Sequence, residues 1–126
     1  MDRHTQSRLK RDQVIWLVTA GRDGRPQAVP VWFYWDGRSI LVYAQAGRKV
    51  RHVRENPAVE VHLNSDEAGD DVVRASGSAA VAKLTRPSSG YVRKYGGAIK
   101  DLGMTADQFF RDYGNPIRIT RLRFHS

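Results

Sequence analysis

Val14-Ile15-Trp16-Leu17-Val18-Thr19-Ala20, then Gly21-Arg22-Asp23-Gly24-Arg25-Pro26, then Gln27-Ala28-Val29-Pro30-Val31-Trp32-Phe33-Tyr34-Trp35 ahead of Asp36-Gly37, decide the fold. The first run is β-branched, aromatic and apolar on both faces, which suits a buried strand. Its two glycines, an aspartate and a proline make the next stretch a turn. The run from Gln27 to Trp35 is a second strand. Asp36-Gly37 is the clearest hairpin signal in the chain, because a two-residue type I′ turn favours Asp or Asn followed by Gly. Ser39 to Ala44 is then the third strand.

Outward from this hairpin the pattern changes. Thr5 to Asp12 has room for a short helix with Leu9 as its strong apolar anchor. Arg48 to Glu55 has helical spacing, with Val50 and Val53 on one side and cations elsewhere, and Asn56-Pro57 stops it. From Ala58 to Asn64 the chain alternates, Val59, Val61 and Leu63 against Glu60 and His62. Ser65 to Asp71 is an acidic loop. Val72 to Leu84 reads as a long strand of small residues centred on Gly77, where a bulge or a close backbone approach is expected. Tyr91, Tyr95 and Ile99 recur every four residues, and Thr105-Ala106-Asp107-Gln108 has the capping-box pattern. The helix it opens carries Phe109, Phe110 and Tyr113 towards the core. In the last strand, Ile117 to Phe124, the apolar face switches, which predicts a bulge near Thr120-Arg121. Six strands with helices only between the later ones favour a mainly β fold, a closed or nearly closed antiparallel barrel, as one domain over 1–126.

The chain has 126 residues, a net charge of +8 and a pI near 10.3, which calls for an anionic partner. Nucleic acid, a membrane surface and a phosphorylated or polycarboxylate small molecule all qualify. There are no cysteines, so disulfides and thiolate metal sites are excluded. The polar start lacks the apolar core of a secretory signal, and no apolar run approaches a bilayer-spanning length. These features lead to an expectation of a cytoplasmic protein.

Two segments stand out chemically. The second strand is apolar on both faces and so has to be covered twice. Its Pro30 cannot donate to a ladder, which places it at an edge or beside a ligand. The second segment, Gln45-Ala46-Gly47-Arg48-Lys49-Val50-Arg51-His52-Val53-Arg54, ends a strand in a small-residue turn and opens a helix bearing four cations. A helix N-terminus already favours anions, and cations there oppose the dipole unless an anion sits between them. Each charge-assisted hydrogen bond to a phosphate would contribute roughly 1.5–3 kcal/mol. The alternative for such a charge run is a solvated basic face. The four histidines have no metal-ligand spacing. No nucleophile motif, dinucleotide fingerprint or phosphate-binding glycine loop is present.

Ile15-Trp16-Leu17-Val18-Thr19, Asp23-Gly24-Arg25-Pro26-Gln27-Ala28-Val29-Pro30-Val31-Trp32-Phe33, Asp36-Gly37, and Lys49 ahead of Arg54-Glu55-Asn56-Pro57 together resemble the split β-barrel flavin/deazaflavin oxidoreductases of the pyridoxamine-phosphate-oxidase-like superfamily. The branch that uses the deazaflavin coenzyme F420 is the nearest in pattern, and the segment from Tyr91 to Phe110 resembles it too. The resemblance implies a six-stranded antiparallel split barrel and a homodimer with cofactor sites at the subunit interface. It implies that the ring system lies beside Gln27, Val29, Pro30, Val31 and Ala44, and that Gln45, Gly47, Arg48 and Lys49 hold the phosphate. Arg51 and Arg54 would meet the acidic tail. Hydride would pass directly between ring and substrate, with no catalytic side chain and no metal. His52 stands where relatives usually carry Asn. An FMN-dependent oxidoreductase of the same fold is the alternative; a non-catalytic module that binds the cofactor or nucleic acid is the reading from another class.

Overall fold

The computed structural model describes residues 1–125. Seven strands form one antiparallel sheet: β1 (Val14–Ala20), β2 (Pro26–Trp32), β3 (Tyr34–Trp35), β4 (Ile40–Ala44), β5 (Ala58–Leu63), β6 (Arg74–Val81) and β7 (Asn115–His125). Four helices join them: α1 (Arg3–Arg11), α2 (Arg48–Glu55), α3 (Ser89–Asp101) and α4 (Ala106–Asp112). The strand order is β2-β1-β5-β6-β7-β4-β3. β2 and β3 therefore lie at opposite ends of the order, yet only Phe33 separates them in the chain. The sheet must curl to bring its ends together, which makes it a half-barrel.

Six strands were expected and seven are present. The run from Gln27 to Trp35 is not one strand, because its first part pairs with β1 and its last two residues pair with β4. The break falls at Phe33, whose N–H donates to the Tyr95 hydroxyl at 2.8 Å. That hydroxyl in turn lies 2.7 Å from the carbonyls of Phe33 and Gln13. A helix side chain thus replaces the ladder partners that the switching residue loses. β6 is also shorter than the expected Val72–Leu84, spanning only Arg74–Val81.

The Asp36-Gly37 hairpin exists but is wider than a two-residue turn. Trp35 pairs with Ile40, leaving Asp36 to Ser39 as the loop. The Asp36 carboxylate accepts from the N–H groups of Arg38 (2.8 Å) and Ser39 (2.7 Å). This side-chain bracket stabilises the longer loop. The bulge in β7 lies where the pattern placed it. Ser76 pairs with Arg123 and Ser78 with Thr120, so Arg121 and Leu122 oppose the single Gly77. Arg121 takes a positive φ of 53°, and a Cβ on Gly77 would stand only 3.0 Å from the Thr120 carbonyl oxygen.

Two apolar layers follow from this curl. Ile15, Leu17, Val42, Val61, Ile117 and Ile119 fill the concave side, closed by Leu9 of α1 and by Val50 and Val53 of α2. On the other face of β4, Leu41 and Tyr43 pack with Tyr91, Tyr95, Ile99 and Phe109 of α3 and α4. Both α4 caps predicted from Thr105 and Gln108 are formed. Replacing Tyr95 by Phe leaves the buried Phe33 N–H without a partner. A loss of about 1–3 kcal/mol in unfolding free energy is expected, measurable as a lower urea midpoint at unchanged slope.

Candidate functional site

β4 ends at Ala44, and Gln45-Ala46-Gly47 lead directly into α2. The cap residue Gly47 supplies no side-chain hydrogen bond to the helix start, whereas Asp2, Ser88 and Thr105 cap the other three helices. No acid lies in the first turn of α2; Arg48 is exposed and Lys49 half-buried there. The rest of the helix is fixed. Val50 and Val53 are buried, and His52 Nδ1 lies 2.9 Å from Thr19 Oγ1 on β1. A rigid helix thus presents an uncapped, positively charged end.

That end borders a cleft of about 430 Å³. Pro30, Val31 and Trp32 of β2 form one wall and Tyr43 and Ala44 of β4 another. Tyr91, Leu102, Phe109 and Tyr113 close it from α3, α4 and the turns after them, while Gln45 and Lys49 stand at the helix start. Among the described residues, Lys49 is the one charged residue in this lining. The cleft has the volume of a small-molecule site and the apolar, aromatic lining such sites share.

The aromatic wall is itself braced. Trp32 stacks on Tyr95 with centroids 4.8 Å apart and on Phe109 at 5.8 Å. Phe109 stacks on Tyr113 at 4.5 Å. Burial, with neighbouring Tyr95, Tyr43 and Tyr113 adding to it, pushes the Tyr91 hydroxyl far above the ordinary tyrosine range, so it is a neutral hydroxyl at any physiological pH. Behind this wall Lys94 donates from Nζ to the Phe33 carbonyl at 2.9 Å and sits 3.9 Å from the centre of the Phe33 ring. Burial pulls its amine down to about 8, against the opposing pull of Asp12.

The sequence-predicted residues divide into three groups. Pro30, Val31, Ala44, Gln45 and Lys49 come together around the cleft. Gly47 and Arg48 flank it at the helix start without lining it. Val29 and Gln27 lie further along β2, opposite Leu17 and Thr19, and do not line it either. The Gln27 Oε1 is buried with no hydrogen-bond partner among the described residues, an acceptor left open on the same strand. Arg51 is exposed on α2, and Arg54 lines a second, larger cleft beyond Tyr43. Sequence reasoning missed Tyr43, Tyr91, Phe109 and Tyr113 as cleft walls. Tyr91, Phe109 and Tyr113 were read as helix residues facing the core and Tyr43 only as part of the third strand, and all four pack in the outer apolar cluster as well.

The half-barrel, with an apolar slot beside its second strand and a lysine at an uncapped helix start, defines a split-barrel protein. The sequence matches the pyridoxamine 5'-phosphate oxidase family over residues 1–116, and the chain belongs to that family. No curated protein matches it. Among solved structures it is similar to an F420 reductase, with 21% identity, a TM-score of 0.67 and coverage of 100% of this chain and 97% of that one. It is similar to a FAD-binding protein from Mesorhizobium loti at 18% identity and a TM-score of 0.61, covering 95% and 87%. The heme storage protein HutZ from Vibrio cholerae shares the fold as well, at 15% identity and a TM-score of 0.63, covering 93% and 87%. At these identities the likeness is one of fold. Among the described residues no helix is long and apolar enough to cross a membrane.

Lys94 gives a pH signature. Its amine pKa falls from 10.5 in the unfolded chain to about 8 in the folded one. Above that value the folded state has released a proton that the unfolded state still holds, so this group makes stability rise with pH. The gain is read from about pH 8 to about pH 9.5, below tyrosine ionisation. Urea midpoints across this window are expected to rise more in the wild type than in Lys94→Met.

Proposed function

We propose that the protein is an oxidoreductase that binds the deazaflavin coenzyme F420 and serves hydride transfer between its ring and a small organic substrate. The cleft carries this reading: an apolar slot of about 430 Å³ whose one charged residue, Lys49, stands at an uncapped helix start. Pro30, Val31 and Ala44 would lie along the ring, with Val29 and the open acceptor of Gln27 further down the same strand. Lys49, Gln45 and the free N–H groups after Gly47, with Arg48 beside them, would hold the phosphate. The bound ring supplies the hydride. The chain's own part is to orient the ring and to exclude water with Trp32, Tyr91, Phe109 and Tyr113; none of these needs to ionise. A homodimer belongs to the same reading, supported by the outer face of β1 and β2, where Ala28 and Pro30 are exposed beside half-exposed Trp16. The absence of cysteine accords with a cytoplasmic location.

FMN is the second candidate for the slot, because the FAD-binding relative shares the fold and FMN carries a phosphate in the corresponding chemistry. Fluorescence titrations with F420 and with FMN separate the two. Saturable binding of F420, weakened about ten- to hundredfold by Lys49→Ala with an unchanged circular dichroism spectrum, is expected. Tight FMN binding with no response to F420 overturns the deazaflavin in favour of FMN. Unchanged affinity in Lys49→Ala places the phosphate elsewhere, and no binding of either removes the enzymatic reading.

A further inference from the structure

Three tyrosines are buried in the outer apolar cluster, Tyr43, Tyr91 and Tyr95. Two of them spend their hydroxyls on the fold. That of Tyr43 accepts from the Ser88 N–H at 2.9 Å, and that of Tyr95 serves Phe33 and Gln13. Tyr91 is as buried as Tyr95, each 1% exposed, yet its hydroxyl makes no hydrogen bond among the described residues. The buried side-chain polar atom left without a partner among those residues is Gln27 Oε1 alone. The Tyr91 hydroxyl, also without a partner, therefore still touches open space, and the cleft of about 430 Å³ is the space that Tyr91 lines. Its position is fixed. The ring packs against those of Tyr43 and Tyr95, each 4.7 Å away between centroids, and the Tyr91 N–H donates to Ser88 Oγ at 3.3 Å. A phenylalanine would fill the same space, so packing does not account for the hydroxyl.

We infer that the Tyr91 hydroxyl donates a hydrogen bond to the carbonyl oxygen of an aldehyde or ketone bound in this cleft as the substrate. The role of that molecule as substrate rests on the proposed hydride transfer; the hydrogen bond itself does not. On the side of α3 and α4 the cleft is lined by Tyr91, Leu102, Phe109 and Tyr113, none of them charged. An ionised oxygen placed against this wall would lose water without gaining a counter-charge, whereas a neutral carbonyl oxygen needs one donor. Burial keeps the Tyr91 hydroxyl protonated, so it serves as a donor and not as an acid. Reduction adds a hydride to the carbonyl carbon and moves the π pair onto the oxygen, which takes a proton from water. An alcohol results, with two electrons drawn from the reduced cofactor. Negative charge gathers on the oxygen during this step, and a donor already held in place against an apolar wall is most effective there.

Titration with 4-dimethylaminobenzaldehyde tests the contact without turnover, because a hydrogen bond to its carbonyl oxygen shifts its absorption band to the red. The protein is used free and saturated with oxidised F420. A red-shifted band is expected on binding in both forms of the wild type. In Tyr91→Phe the shift is expected to vanish and the affinity to fall about fivefold, the effect of one neutral hydrogen bond. The urea midpoint of Tyr91→Phe is expected to stay at the wild-type value, unlike that of Tyr95→Phe, because no partner in the fold is lost. A wild-type complex without the shift, or a shift that persists in Tyr91→Phe, overturns the inference. A midpoint lowered as in Tyr95→Phe also overturns it, by giving the hydroxyl to the fold. Weaker F420 binding in Tyr91→Phe with an unchanged aldehyde spectrum overturns it in favour of the cofactor ring. Failure of the wild type to bind any cofactor removes the proposed function alone, since the shift in the free protein still reports the hydroxyl.

Discussion

The arrangement depends on one residue changing partners. Phe33 is the switch: Trp32 before it is the last residue on the β1 ladder, and Tyr34 after it is already paired with β4. A residue at such a switch cannot satisfy both its N–H and its carbonyl through the sheet, and a buried unpaired group costs about 1–3 kcal/mol. Tyr95 and Lys94 solve this from α3, one by its hydroxyl and the other by its amine. The same contact locks Trp32, whose ring stacks on Tyr95, into the wall of the cleft. The change of ladder at Phe33 and the place of Trp32 in the cleft wall are therefore set by one clamp.

Much of this was legible from the residues. The alternation of Val59, Val61 and Leu63 assigned β5 its faces, and the switch of apolar face after Ile119 located the bulge at Arg121. The spacing of Val50 and Val53 oriented α2, and with it the cationic start that borders the cleft. The division of β2 from β3 was not legible, because Ala28 to Trp35 is apolar on both faces and its one irregular residue, Pro30, lies inside β2 and not at the break. What divides it is Tyr95, distant in sequence, and periodicity does not report on partners of that kind. The width of the Asp36 loop was hidden for a different reason. Asp-Gly favours the short turn, but the carboxylate of Asp36 can also gather the following N–H groups, and here that local bracket prevails.

The site was legible in part for the same physical reasons. Pro30 and Lys49 each stood out from sequence because their chemistry is unusual for their position, and the family resemblance joined them into one candidate site. The aromatic walls could not, since Tyr91 and Phe109 are ordinary core residues by pattern and become cleft walls only through the packing of α3 and α4 on β4. Arg54 was grouped with Arg51 by charge, and the helix turns it to the far side of Tyr43. Charge patterns on a short helix do not resolve which of its cations face the same side of the fold.

The place of β7 in the sheet has a consequence for the order of assembly. β7 sits between β6 and β4 and pairs with both. Without it the sheet is two fragments, β2-β1-β5-β6 and the small hairpin β4-β3, with nothing hydrogen-bonded between them. As the chain leaves the ribosome, the first fragment can pair early through neighbouring segments, but the β4 side must wait for Asn115–His125 to emerge. The joining step closes a long loop and is slow by the usual relation between topology and rate. Tyr43 can pack on α3 and α4 before that, but the β4 edge has no ladder partner on its β7 side until then, so the sheet is completed last.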